Sequence, residues 1–379
     1  MYVFRFISFS IPPVTGYTLG TVDRILSLIQ RYEHRFSTLV FVVGFATDLL
    51  TFTLLDLPAV NLLFIGYLVI AAFFTFLTHT MRRYAMHPTA WRRAVAVLSP
   101  LAATFTIGAL LSGFLIFYTK SAALSVSWPF LFLILAIFLG NEFFRSYRSH
   151  LAFQTTLFFF ALYAYSIFAL PLYLNELGPD IFLWSTALAL AVFTAYLLLL
   201  ELSGKRQLEA TLGRIVAGTV AITVTVVALY FSGLVPPIPL TVKESGIYHG
   251  VVRTEAGYQV THEGWSRWSR FLPREVHHVP GTPLYAYSAI FAPTAFSVNI
   301  VHRWERYDEN RKEWVTESMV AFTLSGGRAG GYRGYSEKSD PRPGRWRVTI
   351  ETLEGQVVGR LNFEVENVST PPQLYTDVK

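Results

Sequence analysis

Long apolar stretches dominate the first two thirds of the chain. Runs at about 37–57, 59–79, 95–118, 124–143, 151–173, 181–201 and 215–235 are almost free of charge. A helix rises about 1.5 Å per residue, so roughly 20 apolar residues cross about 30 Å of hydrocarbon. The pattern predicts about seven transmembrane helices. Upstream, Val22, Ile25, Leu26, Ile29, Tyr32 and Phe36 recur at helical spacing, with Asp23, Arg24, Gln30, Arg31 and Arg35 between them. This reads as an amphipathic helix lying on the membrane face.

Past Pro236-Pro237-Ile238-Pro239, a stiff linker that ends the last helix, the period changes to two. Residues 284–291, 296–304, 314–324, 346–352 and 357–365 alternate apolar and polar side chains, as half-buried strands do. Asp308-Glu309-Asn310, Glu354-Gly355 and the glycine-rich stretch 325–344 supply turn signals, the last as a long loop. The expected architecture is a multi-span α-helical bundle followed by an all-β, antiparallel immunoglobulin-like sandwich. Its divisions are an N-terminal amphipathic segment at 1–36, a transmembrane helical domain at 37–239 and a β-sandwich domain at 240–379.

Charge adds an orientation. Only 9 of the 25 acids and 14 of the 31 bases precede residue 240, so most of the net charge of +6 belongs to the helical half. Cytoplasmic connections retain Lys and Arg, whereas short exported ones avoid them. Arg5, Arg24, Arg31 and Arg35, then Arg82, Arg83, Arg92 and Arg93, then Arg145 and Arg148, then Lys205, Arg206 and Arg214 fall in alternate connections. The intervening connections hold only Lys120. Thirteen bases against one predict a cytoplasmic N-terminus and an exported, periplasmic C-terminal domain. The excess of bases is therefore a topology signal and implies no nucleic-acid partner. With no cysteine, disulfides and thiolate metal sites are excluded.

Several segments of the β half carry a further signal. Tyr285-Ala286-Tyr287, Ala292-Pro293, His302-Arg303-Trp304, Tyr332-Arg333-Gly334-Tyr335-Ser336, Pro343-Gly344-Arg345-Trp346-Arg347-Val348 and residues 359–363 fit in order and spacing. Together they resemble the C-terminal domain of the DUF2914 family of bacterial membrane proteins. The hairpin Leu170-Pro171-Leu172-Tyr173-Leu174 with Ile181-Phe182-Leu183-Trp184-Ser185 is similar to that family's membrane half, so the resemblance spans roughly 155–366. It implies a cell-envelope location and no catalytic residue; the expected place of the chain is the bacterial inner membrane.

Candidate chemistry is sparse. Asp48 sits near the middle of the first apolar run, where an aspartate costs about 2.5–3.5 kcal/mol and should face protein or water. Its readings are a proton or ion relay and an interhelical hydrogen bond. In the 325–344 loop, Arg328, Tyr332, Arg333 and Tyr335 offer a binding edge, against the reading as a solvated connector. Trp265 and Trp268 interleave with Arg267 and Arg270, a composition that stacks on sugars, rests on a headgroup surface or packs inside the domain. His302 and Trp304 share one strand face; a buried, hydrogen-bonded histidine is the alternative to a binding role there. No histidine spacing places two imidazoles on one metal, and no hydrolase elbow, phosphate loop or dinucleotide glycine pattern occurs, so no cofactor, metal or enzymatic activity is expected. The leading expectation is a bilayer-anchored domain that binds an envelope glycan or a periplasmic protein. A transporter or channel using Asp48, and a membrane enzyme acting on a lipid-linked substrate, are the rivals.

Overall fold

A computed structural model of the chain describes residues 57–83, 90–121, 124–143, 150–237, 240–255, 257–264, 274–292, 297–325 and 330–379. The helical half comprises α1 (Leu57–Arg83), α2 (Ala90–Ser121), α3 (Leu124–Phe143), α4 (Leu151–Leu174) and α5 (Pro179–Phe231). The expected first span at 37–57 and the amphipathic segment 17–36 lie outside the described residues.

As a straight helix the 53 residues of α5 would extend about 80 Å. Yet the Phe182 ring stacks on Tyr230 with centroids 3.7 Å apart. The element therefore doubles back near its midpoint, and its two arms are the apolar segments Pro179–Ser203 and Leu208–Phe231. Among the described residues this makes six apolar helical segments, five of them long and apolar enough to cross a membrane; the sixth, Val126–Asn141 in α3, is shorter. Each matches one of the expected runs.

Local chemistry explains the turn between α4 and α5. Asn175 takes the left-handed conformation (φ 56°) that ends α4, Gly178 follows at φ 145°, and Pro179 opens α5 with Asp180 in its first turn. The bundle is drawn together by side chains that bond across helices. Tyr165 Oη–H donates to Asn61 Oδ1 at 2.7 Å, Asn61 Nδ2–H donates to Tyr173 Oη at 2.6 Å, and Tyr196 Oη–H donates to the Ala72 carbonyl at 2.9 Å. Tyr163 and Thr186 hydroxyls lie 2.9 Å apart. At Gly218 a Cβ would meet Thr156 Cγ2 at 2.7 Å, so the second arm of α5 approaches α4 as only glycine allows.

The β half contains β1 (Thr241–Tyr248), β2 (Gly250–Thr254), β3 (Gly257–Glu263), β4 (Arg274–His278), β5 (Leu284–Phe291), β6 (Ser297–Asp308), β7 (Glu313–Ser325), β8 (Tyr332–Lys338), β9 (Gly344–Thr352), β10 (Val357–Asn367) and β11 (Leu374–Val378). They form three sheets in the orders β1-β5-β8, β4-β10-β9-β6-β7 and β11-β3-β2. Two results depart from expectation. β4 runs parallel to β10, so the pairing is not wholly antiparallel. Residues 332–338, expected inside a long loop, are strand β8 paired with β5.

Two sheets share a core. Ile247, Leu284 and Ala286 from one meet Trp304, Trp346, Val348, Phe363 and Val365 from the other. The β6–β7 turn is held by Asp308, whose carboxylate accepts the N–H groups of Asn310 and Arg311 at 2.9 and 3.1 Å. Leu172 and Leu177, at the α4–α5 turn, pack on the β cluster of Leu240, Ile290, Ile300 and Ile350. A crevice lined by Tyr118, Pro171, Phe182, Tyr230, Pro236 and Gln356 runs along the same contact. The β half is thus seated on one end of the bundle, beside the α4–α5 turn and the end of α5.

Candidate functional site

Strand geometry sorts the expected binding residues. Side chains alternate across β8, so Tyr332 faces the core cluster while Arg333 and Tyr335 take the opposite face. Gly334, between them, lies under the Phe322 ring: a Cβ there would come within 2.5 Å of it. On β5, Tyr285 and Tyr287 take that same face, the latter paired with Tyr335 and buried in a cluster with Tyr248, Val251 and Val260. Tyr258 of β3 completes the group, with ring centroids 6.0 Å from Tyr335 and 5.8 Å from Tyr287, and Tyr285 lies 6.1 Å from Tyr335. Tyr258 Oη–H also donates to the Arg333 carbonyl at 3.4 Å. Tyr287 is fully buried, but Tyr335 is 41% exposed, and Tyr258, Tyr285 and Arg333 are partly exposed around it. The result is a tyrosine surface with a guanidinium at its edge. Tyrosine offers large, rigid contact area and a polar tip.

His302 and Trp304 do not belong to any surface, since both are 0% exposed. His302 Nε2 lies 2.9 Å from Ser288 Oγ, and Nδ1 lies 2.9 Å from Ser336 Oγ, which also accepts Trp304 Nε1–H at 2.9 Å. Burial depresses the imidazole to about 3, so it is neutral and both nitrogens are satisfied by hydroxyls. Two strands of one sheet and one of the other meet in this network, which makes it a structural link. Asp48, Trp265, Trp268 and Arg328 lie outside the described residues.

Two groups had no signal in the sequence. The first lies on the outer face of the five-stranded sheet, where Glu305 accepts two bonds from Arg347 at 2.6 and 2.7 Å and one from Thr349 at 3.1 Å. Burial raises the Glu305 carboxyl, but Arg347 and Thr349 outweigh it and hold it below the usual range. Arg303 pairs with Glu351 beside it. Burial lowers the pKa of Arg360, as do Arg347 and Arg303, and its Nε has no hydrogen-bond partner among the described residues. The second group centres on Glu263, which binds His249 Nε2 at 2.9 Å and His277 Nδ1 at 2.6 Å. Burial opposes the charge on Glu263, yet the histidine bonds prevail and lower its pKa, while the Glu263 bond raises that of His277.

Residues 297–365, from β6 into β10, match the sequence model of a family described as protein of unknown function (DUF2914). The chain carries a DUF2914 domain. The match is narrower than the resemblance at 155–366: it contains His302, Trp304, Arg333 and Tyr335 but no part of the helical half. No curated protein matches the chain. Among solved structures, a Listeria innocua β-glucosidase in complex with gluconolactone shares 15% identity over 28% of this chain and 16% of its own, at a TM-score of 0.18. The same glucosidase with glucose gives 13% identity over 35% and 17%, at 0.20. A Pseudomonas fluorescens alkylpurine DNA glycosylase, AlkC, bound to DNA containing an abasic-site analogue, gives 12% identity over 81% and 98%, at 0.22.

Proposed function

We propose that the protein is a multi-pass component of a bacterial inner membrane, whose helical bundle seats a periplasmic domain of immunoglobulin-like sandwich type that binds an envelope glycan or protein. The observation that carries this reading is the tyrosine surface of Tyr258, Tyr285 and Tyr335 with Arg333 at its edge. Hot spots at interfaces are enriched in tyrosine and arginine, and aromatic faces also stack on sugar rings. Orientation rests on the alternating bases. The helix ends beside the β half border the connection with Lys120 and the α4–α5 turn, which carries no base, whereas the helix ends that border the arginine-rich connections are the opposite ones. A periplasmic reporter active after residue 239 is the expected topology result; a cytoplasmic reporter active there overturns it.

The binding surface is tested by a photo-crosslinking residue at Tyr335, compared in the native envelope with one at Met319, which is 59% exposed on β7. An adduct at Tyr335 and none at Met319 is expected. Equal labelling, or none, removes the proposed surface.

A second reading, a transporter, draws on Gln154. Its amide is 2% exposed in α4, and neither polar atom has a hydrogen-bond partner among the described residues. An unmatched amide inside a bundle is costly unless it meets a solute or a moving helix. Gln154 lies within a turn of the start of α4, not at mid-span, so the binding-domain reading leads.

A further inference from the structure

Chain pairing brings together a histidine and two carboxylates in the β half. Glu275 and His277 lie two residues apart on β4 and so share one face, and the parallel register sets Glu366 of β10 directly opposite His277. One ligand atom from each lies within 4.8 Å of the others, and His277 Nε2 is 3.9 Å from Glu366 Oε2. What distinguishes this group from an ordinary acidic patch is the support behind the ring. His277 Nδ1 is 2.6 Å from Glu263 Oε2 on β3, while Glu263 Oε1 accepts the His277 main-chain N–H at 2.8 Å and lies 2.9 Å from His249 Nε2. The imidazole is therefore held from one side, and its other nitrogen is turned toward Glu366, with Glu275 in the same cluster.

That arrangement is the one metal-ligating histidines adopt: the second ring N–H is bonded to a carboxylate, which fixes the tautomer and raises ligand basicity. We infer that Glu275, His277 and Glu366 form a binding site for a first-row divalent cation such as Zn2+, with Glu263 as a positioning residue. Two carboxylates and a neutral imidazole bring two negative charges to a doubly charged ion. The imidazole selects against Mg2+ and Ca2+, which prefer all-oxygen shells. Metal–ligand bonds of about 2.0–2.2 Å set tetrahedral neighbours roughly 3.4 Å apart. Glu275 and Glu366 are exposed and free to rotate inward by that small difference, while His277 stays in place. The ion would tie β4 to β10 and, through Glu263 and His249, anchor the β11-β3-β2 sheet to the five-stranded one. A domain without cysteine has no disulfide for this purpose.

The test uses the full-length chain in detergent, purified without a histidine tag and stripped by chelator, with Co2+ as the probe for its visible ligand-field bands. The expected result is saturable binding of one Co2+ per chain, reversed by Zn2+. His277→Ala and Glu366→Gln should each weaken binding at least tenfold, and Glu263→Gln by 10- to 100-fold while all three ligands remain. His262→Ala, at a histidine outside the trio, should bind as the parent does. Circular dichroism establishes that each variant is folded; Glu366→Gln alters an exposed side chain and decides the case if His277→Ala does not fold. The inference is overturned if the parent shows no saturable binding, or if folded Glu366→Gln and His277→Ala bind Co2+ as tightly as the parent.

Discussion

The helical and β halves bury polar groups by opposite means. In the bundle, the buried polar residues of the described spans include Thr75, Thr78, Ser99, Thr104, Ser112 and Ser185, all neutral. Many bond back to their own helix, as Thr104 does to the Pro100 carbonyl and Ser185 to the Ile181 carbonyl. In the β half, Glu305 and Glu351 are nearly as buried but lie in ion pairs with Arg347 and Arg303. On the membrane-spanning reading, the reason is the surrounding solvent. Hydrocarbon offers nothing to a charge, so only groups that can satisfy themselves locally are tolerated there. A sheet face open to water accepts ions, because guanidinium groups reach over carboxylates while their own outer edges stay hydrated. The two halves should accordingly respond differently to cavities, protons and added volume.

The largest expected separation comes from Trp304→Ala. Trp304 is fully buried between Trp346 and Phe363, with ring centroids 6.4 and 6.2 Å away. Its truncation should cost about 3–5 kcal/mol and unfold the β half while the helices persist. Loss of strand signal with helical signal retained, followed by circular dichroism on heating, is the outcome that establishes separate stability. Simultaneous loss of both would show that the seated domain and the bundle unfold as one.

Acid should come next. His302 is depressed in the fold from 6.5 to about 3, so the stability it contributes is complete above pH 6.5 and declines as pH falls toward 3. The Glu263 carboxyl, also lowered, contributes stability present above about 4.5 and lost below its folded value. His277 has the opposite sign: raised, it stabilises below 6.5 and releases that contribution as pH rises through its folded value. Because His277 is the more exposed, the balance is a loss on the order of 2–4 kcal/mol for the β half between pH 7 and pH 3.5. Melting curves across that range, repeated with His302→Gln, should show the slope between pH 6.5 and 4.5 diminish in the variant. An unchanged slope removes His302 as its source.

A smaller effect is expected in the bundle from Gly218→Val. Added volume would drive into Thr156 and part α4 from the second arm of α5, costing about 1–3 kcal/mol. The α5 hairpin should loosen, read as faster proteolysis near residue 206, with the β half unaffected. Smallest of all is Tyr335→Ala. At 41% exposure it should change stability by under about 0.5 kcal/mol, yet weaken capture of the partner by about 1–2 kcal/mol. Lost stability without lost capture would make Tyr335 a packing residue.

Hydrophobic run length by itself determined the six helical segments seen among the described residues, because a long run without charge or turn residues satisfies its backbone most simply as a helix. The period-two pattern likewise marked β5, β6, β7, β9 and β10, whose inward faces are mainly apolar, with Ser288 and His302 bonded to each other among them. Strand β8 escaped notice because glycines and charges obscure its alternation, and only pairing with β5 makes Arg333 and Tyr335 co-facial. The helical reversal of α5 and the parallel β4–β10 register belong wholly to tertiary structure. So do the meeting of Tyr258 with Tyr335, 77 positions later, and of Glu263 and His277 with Glu366, since contacts between distant segments leave no local periodicity to read. Sequence sets what each segment must bury, and packing decides which segments are available to bury it.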